Sequence, residues 1–248
     1  MNRQYGFLSF LAVIGLIYLS FYTLMPREGT PASIPETEFS TERALLHLRE
    51  ITREPHMNGS PANNRVKDYL VEQLEKLGLD PQIQEGFVLN QNRGILNKPV
   101  NILAKIDGTV GDQTLLIFSH YDSALVPSFG ASDAGSGVVT ILESLRAFLT
   151  TGTPPKNNII VLFTDAEEIG LDGAQLFVDE HPWAQEIDLA LNFEARGSGG
   201  PSNMIIETNH GNRGLIKAFK EAGPDFPVAS SLMYSIYKML PNDTDSTV

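Results

Sequence analysis

At 248 residues the chain has room for one large domain or two small ones, and 42% hydrophobic with 19% charged residues describes an ordinary globular protein, not a disordered one. A net charge of −12 and a pI near 4.8 argue against a nucleic-acid partner, whose phosphates are bound by Lys and Arg clusters that this sequence lacks. Cysteine is absent, which excludes disulfides, thiolate metal sites and thiol nucleophiles; any metal must be held by histidine and carboxylate.

The first element is Phe7 to Leu24, "FLSFLAVIGLIYLSFYTL", an uncharged stretch long enough to cross a bilayer as a slightly short helix. Tyr5, Tyr18 and Tyr22 sit near its ends, where interfacial aromatics gather. A cleaved signal peptide is the rival reading, but its apolar region is usually shorter and followed by a small-x-small site, which is not clear before Pro26. Residues 1–25 therefore read as a retained transmembrane anchor. Arg3 on one side and Arg27 beside Glu28 on the other set the orientation only weakly, and the expectation is an extracytoplasmic catalytic domain. Residues 26–37, with Pro26, Pro31 and Pro35, read as a linker, and 38–248 as one domain.

Within that domain helical and strand periods alternate, the mark of an α/β fold with a mostly parallel, mixed central sheet flanked by helices. Thr41–Ile51 and Asn63–Leu77 are expected helices, the second stopped by Gly78. Strands follow at Gln82–Leu89, Val100–Ile106 and Leu115–Ser119. Gly137–Leu149 carries an apolar stripe of Val138, Ile141, Leu142, Leu145, Phe148 and Leu149, which predicts a strong helix. A buried strand at Asn158–Phe163, a helix at Asp172–Glu180 and strands at Leu189–Phe193 and Met204–Glu207 complete the series.

Polar residues cluster where these strands end. His120 and Asp122 follow "LLIFS", Glu167 and Glu168 follow "NIIVLF", and Glu194 follows "LALNF", so several strands deliver imidazole or carboxylate at their C-terminal ends, where open α/β sheets place their sites. His120 alone would more often be a satisfied core histidine; Asp122 two positions on could orient a metal-bound ring. Asp133 could simply cap the next helix, but Gly130, Gly135 and Gly137 around it suit a carboxylate shared between two cations in a crowded backbone. Glu167 and Glu168 could be a solvated helix N-terminus, or one a ligand and the other a base beside the metal's water. Arg196 is either an ion-pair partner of Glu194 or a substrate contact. His47, His56, His181 and His210 are background, and neither HExxH nor a glycine-rich phosphate loop occurs.

The segments "REPHMNGSPANNRVKDYLVEQLEKLGL", "IFSHYDS", "GASDAGSGVVTILE", "LFTDAEEIGLDGAQLF", "NFEARGSGGP" and "LPNDTDSTV" resemble, in order, the M28 co-catalytic zinc aminopeptidases, and among them the membrane-anchored branch of endoplasmic-reticulum and vacuolar metallopeptidases. The resemblance covers nearly everything from Glu38 to Val248. It implies that His120 and Glu194 bind one Zn2+, Asp133 bridges, Glu168 binds a second Zn2+, Glu167 is the general base and Asp122 supports catalysis beside His120. It also implies peptide substrates, N-terminal peptide-bond hydrolysis by a metal-activated water, and a cis peptide between Ser132 and Asp133. The family completes its second zinc with a later histidine, and this chain has none after His210, so the expectation is a partial polypeptide whose second site keeps Asp133 and Glu168 alone. A single-zinc glutaminyl cyclase on the same fold and a non-catalytic binding module are the alternatives.

Overall fold

The computed structural model describes residues 3–25, 28–91, 93–195, 197, 212–223, 231–240 and 243–248. In chain order they form α1 (Arg3–Leu24), α2 (Thr41–Ile51), α3 (Pro61–Lys76), β1 (Gln82–Glu85), β2 (Val88–Asn90), β3 (Ile95–Asn97), β4 (Val100–Ile106) and β5 (Thr114–His120). Then come α4 (Gly135–Thr150), β6 (Asn158–Thr164), α5 (Glu167–Gly170), α6 (Asp172–Glu180), β7 (Leu189–Asn192), α7 (Arg213–Glu221) and α8 (Ser231–Tyr237). The strand expected at Met204–Glu207, together with Arg196 and His210, lies outside the described residues.

The chain falls into two compact units. One, of residues 1–28 and 199–242, contains α1, α7 and α8. In α1 the window Tyr5–Tyr22 has a mean hydropathy of 1.8 and none of it is buried, so apolar side chains cover the whole circumference, as lipid requires. Its 22 residues rise about 33 Å, matching a hydrocarbon core of about 30 Å.

The other unit, of residues 29–198 and 243–248, is built on a five-stranded sheet of order β1-β4-β6-β5-β7. The sheet is mixed: β5 runs parallel to β6 and β7, while β4 joins β6, and β1 joins β4, antiparallel. Alternation along the central strands divides the core. Ile102, Ala104, Val161 and Phe163 face the layer of α2, α3 and α4, and Leu103, Ile160, Leu162, Leu116 and Phe118 face Phe177 of α6 and Trp183. Each fully buried large side chain here contributes about 1.5–3 kcal/mol. Both faces are covered, which is why these strands are continuously apolar in sequence.

Ser40 and Ser60 start α2 and α3 by accepting the amides of Arg43 and Asn63 at 3.2 and 3.0 Å. The run Gln82–Leu89, expected as one strand, is two: β1 pairs with β4, and β2 pairs with β3 as a separate hairpin. The break is at Gly86, where a Cβ would meet the Leu176 side chain at 2.6 Å, so a larger residue would have to displace that side chain for the chain to turn against α6. The hairpin is fastened beside α5 and α6 by Asn90, which donates to the Gly170 carbonyl at 3.4 Å, and Asn97, which donates to Asp172 at 3.3 Å.

Residues 29–38 are held against α2 and α4. Arg43 donates to the carbonyls of Ala32, Ile34, Pro35 and Glu38, and Arg146 to those of Glu36 and Glu38. Glu143, on α4 and fully buried, ion-pairs with both arginines and accepts the Ser40 amide at 2.8 Å.

Candidate active site

The parallel strands β5, β6 and β7 end on the same edge of the sheet, and their register places His120 opposite Thr164 and Phe118 opposite Asn192. The residues just past these ends therefore converge. His120 closes β5 and is 1% exposed; its Nε2 lies 2.9 Å from Asp133 Oδ1 and 3.6 Å from Glu194 Oε1. Its Nδ1 faces the Asp122 carbonyl at 3.1 Å and the Asp122 carboxylate at 3.3 Å. Burial alone would lower the His120 pKa, but hydrogen bonds to Asp122, Asp133 and Glu194 outweigh it and push it well above its ordinary value.

The turn after β6 is bound to the β5 end through Asp122, whose carboxylate accepts the amides of Glu167 at 3.1 Å and Glu168 at 3.3 Å. Glu167 is pushed up to about 8, first by burial and then by Asp245, Glu194 and Asp122, against the pull of His120. Glu168 is raised to about 7 by burial and by Asp133. One oxygen or nitrogen from each of His120, Glu167 and Glu194 falls within a single cluster whose donor atoms are all within 4.8 Å of one another. Asp133 touches that cluster through His120 with a side chain that is 53% exposed, and Glu168 feels the Asp133 charge; neither belongs to the tight cluster.

Asp133 approaches from the loop before α4. The cis bond lies between Asp133 and Ala134, one position past the expected Ser132–Asp133 bond. Two glycines make the approach possible. A Cβ on Gly135 would sit 2.5 Å from the Gly130 carbonyl oxygen, and one on Gly137 would sit 2.4 Å from that of Phe193 and 2.5 Å from Ser119 Oγ. The start of α4 is thus pressed directly against the ends of β5 and β7.

Nothing in composition or spacing marks Asp245, yet it is 4% exposed, accepts from Thr164 Oγ1, and is raised to about 7 by burial and by Asp122 and Glu194, with His120 pulling the other way. Among the described residues, its Oδ1 and Glu194 Oε2 are both buried without a hydrogen-bond partner. Such orphaned carboxylate oxygens beside a buried imidazole are what a cation would satisfy, and carboxylates with an imidazole are ligands that zinc, among other divalent cations, accepts. The residues present therefore fit a metal.

A model of peptidase family M28 matches residues 101–248. A vacuolar membrane protease of Candida albicans is 35% identical over 228 residues, which is 90% of this chain and 26% of that protein. The chain thus spans about a quarter of the length of the curated relatives it matches. Among solved structures, a Zn-dependent exopeptidase from Parabacteroides distasonis superposes with a TM-score of 0.65 at 20% identity, covering 80% of this chain and 78% of that one. A glutaminyl cyclase from Tannerella forsythia gives 0.63 at 23% identity, with 77% of each chain covered. These likenesses carry the fold: a mixed sheet flanked by helices, as in zinc exopeptidases.

Proposed function

The chain belongs to peptidase family M28, and on that premise we propose that it is the catalytic portion of a membrane-anchored zinc exopeptidase that removes N-terminal residues from peptides. The observation that carries the reading is the meeting of His120, Glu167 and Glu194 donors within 4.8 Å, with a Glu194 oxygen left buried and unbonded. In this reading His120, Asp133 and Glu194 would hold one Zn2+, and Asp133 with Glu168 a second. Bound zinc supplies a Lewis acid that lowers the pKa of a water from about 15.7 towards about 7. Glu167 would be the general base, accepting a proton from the attacking water and giving it to the leaving amine. Asp122 engages His120 Nδ1, which leaves Nε2 available to a metal, and its carboxylate accepts the amides of Glu167 and Glu168. In this reading α1 would anchor the chain in a membrane with the catalytic unit on the extracytoplasmic side; the length and apolar character of α1 and the name of the relatives, vacuolar membrane proteases, support the membrane part.

The test is made on the full chain in detergent, loaded with zinc and freed of excess. Zinc is counted by elemental analysis while fluorogenic aminoacyl amides and N-terminal glutaminyl peptides are supplied in parallel. Bound zinc with amide hydrolysis is the expected result. Cyclisation of the glutaminyl peptide without amide hydrolysis would make the protein a cyclase, and bound zinc with neither reaction would reduce it to a binding module.

A further inference from the structure

The short segment between α2 and α3 grips both sides of the site. On the β5 side, the His56 amide donates to Ser123 Oγ at 2.9 Å and the His56 carbonyl accepts the Ser123 amide at 3.2 Å. On the β6 side, Asn58 Nδ2 donates to Asp165 Oδ2 at 2.6 Å and Asn63 Nδ2 donates to Asp165 Oδ1 at 3.2 Å. Asn63 also reaches the His56 carbonyl at 3.4 Å, so the two grips share a side chain.

Asp165 is 1% exposed. Besides the two amides of Asn58 and Asn63, its carboxylate accepts the backbone amides of Val100 at 3.1 Å and Ala166 at 3.0 Å, and its own amide donates to Asn101 Oδ1 at 3.2 Å. Every one of these four carboxylate partners is a donor. Only an acceptor-only group meets that demand, and an amide at position 165 would set N–H against N–H. The next residue, Ala166, is fully buried and left-handed at φ 60°, a conformation that non-glycine residues keep only when the surroundings over-determine it. Glu167 and Glu168 follow immediately.

We propose that Asp165, gripped by Asn58 and Asn63, is a positioning residue: it holds Ala166 left-handed and thereby aims Glu167 and Glu168 at the space before His120. The segment His56–Asn63 is then a brace that fixes the spacing between the β5 and β6 ends, and not merely the connection into α3. The inference rests on the peptidase reading for its kinetic consequence but not for its structural one. A misplacement of about 1 Å at a catalytic group costs about a hundredfold in rate.

The experiment compares the full zinc-loaded chain with Asp165→Asn, Asn58→Ala and the reciprocal pair Asn58→Asp with Asp165→Asn, which restores one donor facing one acceptor. Amide hydrogen exchange and hydrolysis of a fluorogenic aminoacyl amide are followed together. Asp165→Asn is expected to speed exchange at the Glu167 and Glu168 amides about tenfold with α6 and β4 beyond Val100 unchanged, and to lower kcat about a hundredfold with KM within about threefold. Asn58→Ala is expected to lower kcat about fivefold, and the reciprocal pair to recover about tenfold of the Asp165→Asn loss. Unchanged exchange at Glu167 and Glu168 in Asp165→Asn overturns the proposal, as does a reciprocal pair that restores the melting temperature but not kcat. If the unaltered chain hydrolyses no amide, it is the peptidase reading that has failed, and the exchange rates alone then decide the positioning role.

Discussion

The ends of β5 and β6 lie side by side and face the same space, but they are built by different means. At the β5 end the strand itself delivers His120, and Nδ1 finds its partner two residues on in Asp122. At the β6 end the chain turns sharply through Ala166, and its orientation comes from Asn58, Asn63, Val100 and Asn101, which lie 64 to 107 residues away in sequence. A ligand at the end of a strand inherits its direction from the sheet, whereas a pair of neighbours that must perform separate tasks needs a tight turn, and a tight turn needs tertiary braces. Asp122 ties the two together by accepting from the Glu167 and Glu168 amides.

The largest expected effect isolates the β6 end. Glu167→Gln keeps the shape and the backbone hydrogen bonds and removes the proposed proton acceptor, so turnover on an aminoacyl amide should fall by about 10²–10⁴ while zinc per chain stays the same. Turnover within threefold of the parent would remove Glu167 from its assignment as base. Next in size is a test of the contact that keeps the β5 and β7 ends closed against α4. Gly137→Ala puts a methyl 2.4 Å from the Phe193 carbonyl oxygen and 2.5 Å from Ser119 Oγ, both on rigid elements. The expected loss is about 3 kcal/mol, at the upper end of overpacking costs, or about 6–12 °C in melting temperature. A change below about 2 °C would mean that the start of α4 yields and does not fix Asp133.

The same contrast explains what could be read from sequence. Three strand ends carrying His120 with Asp122, Glu167 with Glu168, and Glu194 were legible because apolar runs locate strands and α/β sheets put their sites at strand C-termini. Helix stripes were equally plain: Val138, Ile141, Leu142 and Leu145 are all buried on α4. Gly86 was read through as strand because alternation continues across it; only the packing of Leu176 reveals the bend. Asn58, Asn63 and Asp165 were silent for a different reason. Asparagines near a helix start look like capping residues, and an aspartate before "AEE" looks like one more solvated acid, until the fold brings them within hydrogen-bond reach. Asp245 was hidden likewise, since its relation to Thr164 spans 81 residues of sequence.

A smaller effect is expected where the two ends are joined. Asp122→Asn leaves one acceptor oxygen for the partners now shared between two, and it places a donor near His120 Nδ1 or the turn amides. Partners of a ligating imidazole are worth about 10–100-fold in metal affinity, so zinc binding measured by chelator competition should weaken by that factor. Affinity within twofold of the parent would leave Asp122 as a cap for the β6 turn and no more.

The smallest effect separates the ends by their protons. In the metal-free protein Glu167 is raised to about 8, and Glu168 and Asp245 to about 7, burial being the leading cause in each. The unfolded chain releases these protons near pH 4. Between about pH 4 and 8 these acids therefore hold more protons in the folded state than in the unfolded one and their contribution to stability falls as pH rises, opposed below about pH 6.5 by His47, His56 and His181, whose pKa values burial lowers. His120 acts in the same direction, since its pKa is raised in the fold and the stability it contributes below pH 6.5 is lost as pH climbs through the folded value. Chelator-treated protein should thus melt lower at pH 8 than at pH 5.5, by about 2–4 °C for each kcal/mol lost. Zinc reverses the sign, because its ligands must be deprotonated and binding strengthens as pH rises. In saturating zinc the melting temperature should be at least as high at pH 8 as at pH 5.5, with proton release on binding measured by calorimetry in two buffers. Metal-free protein that gains stability up to pH 8 would show that the β6-end acids are hydrated and ionised, and that Asp122 and the Asn58–Asp165 grip do not draw them into a common desolvated site.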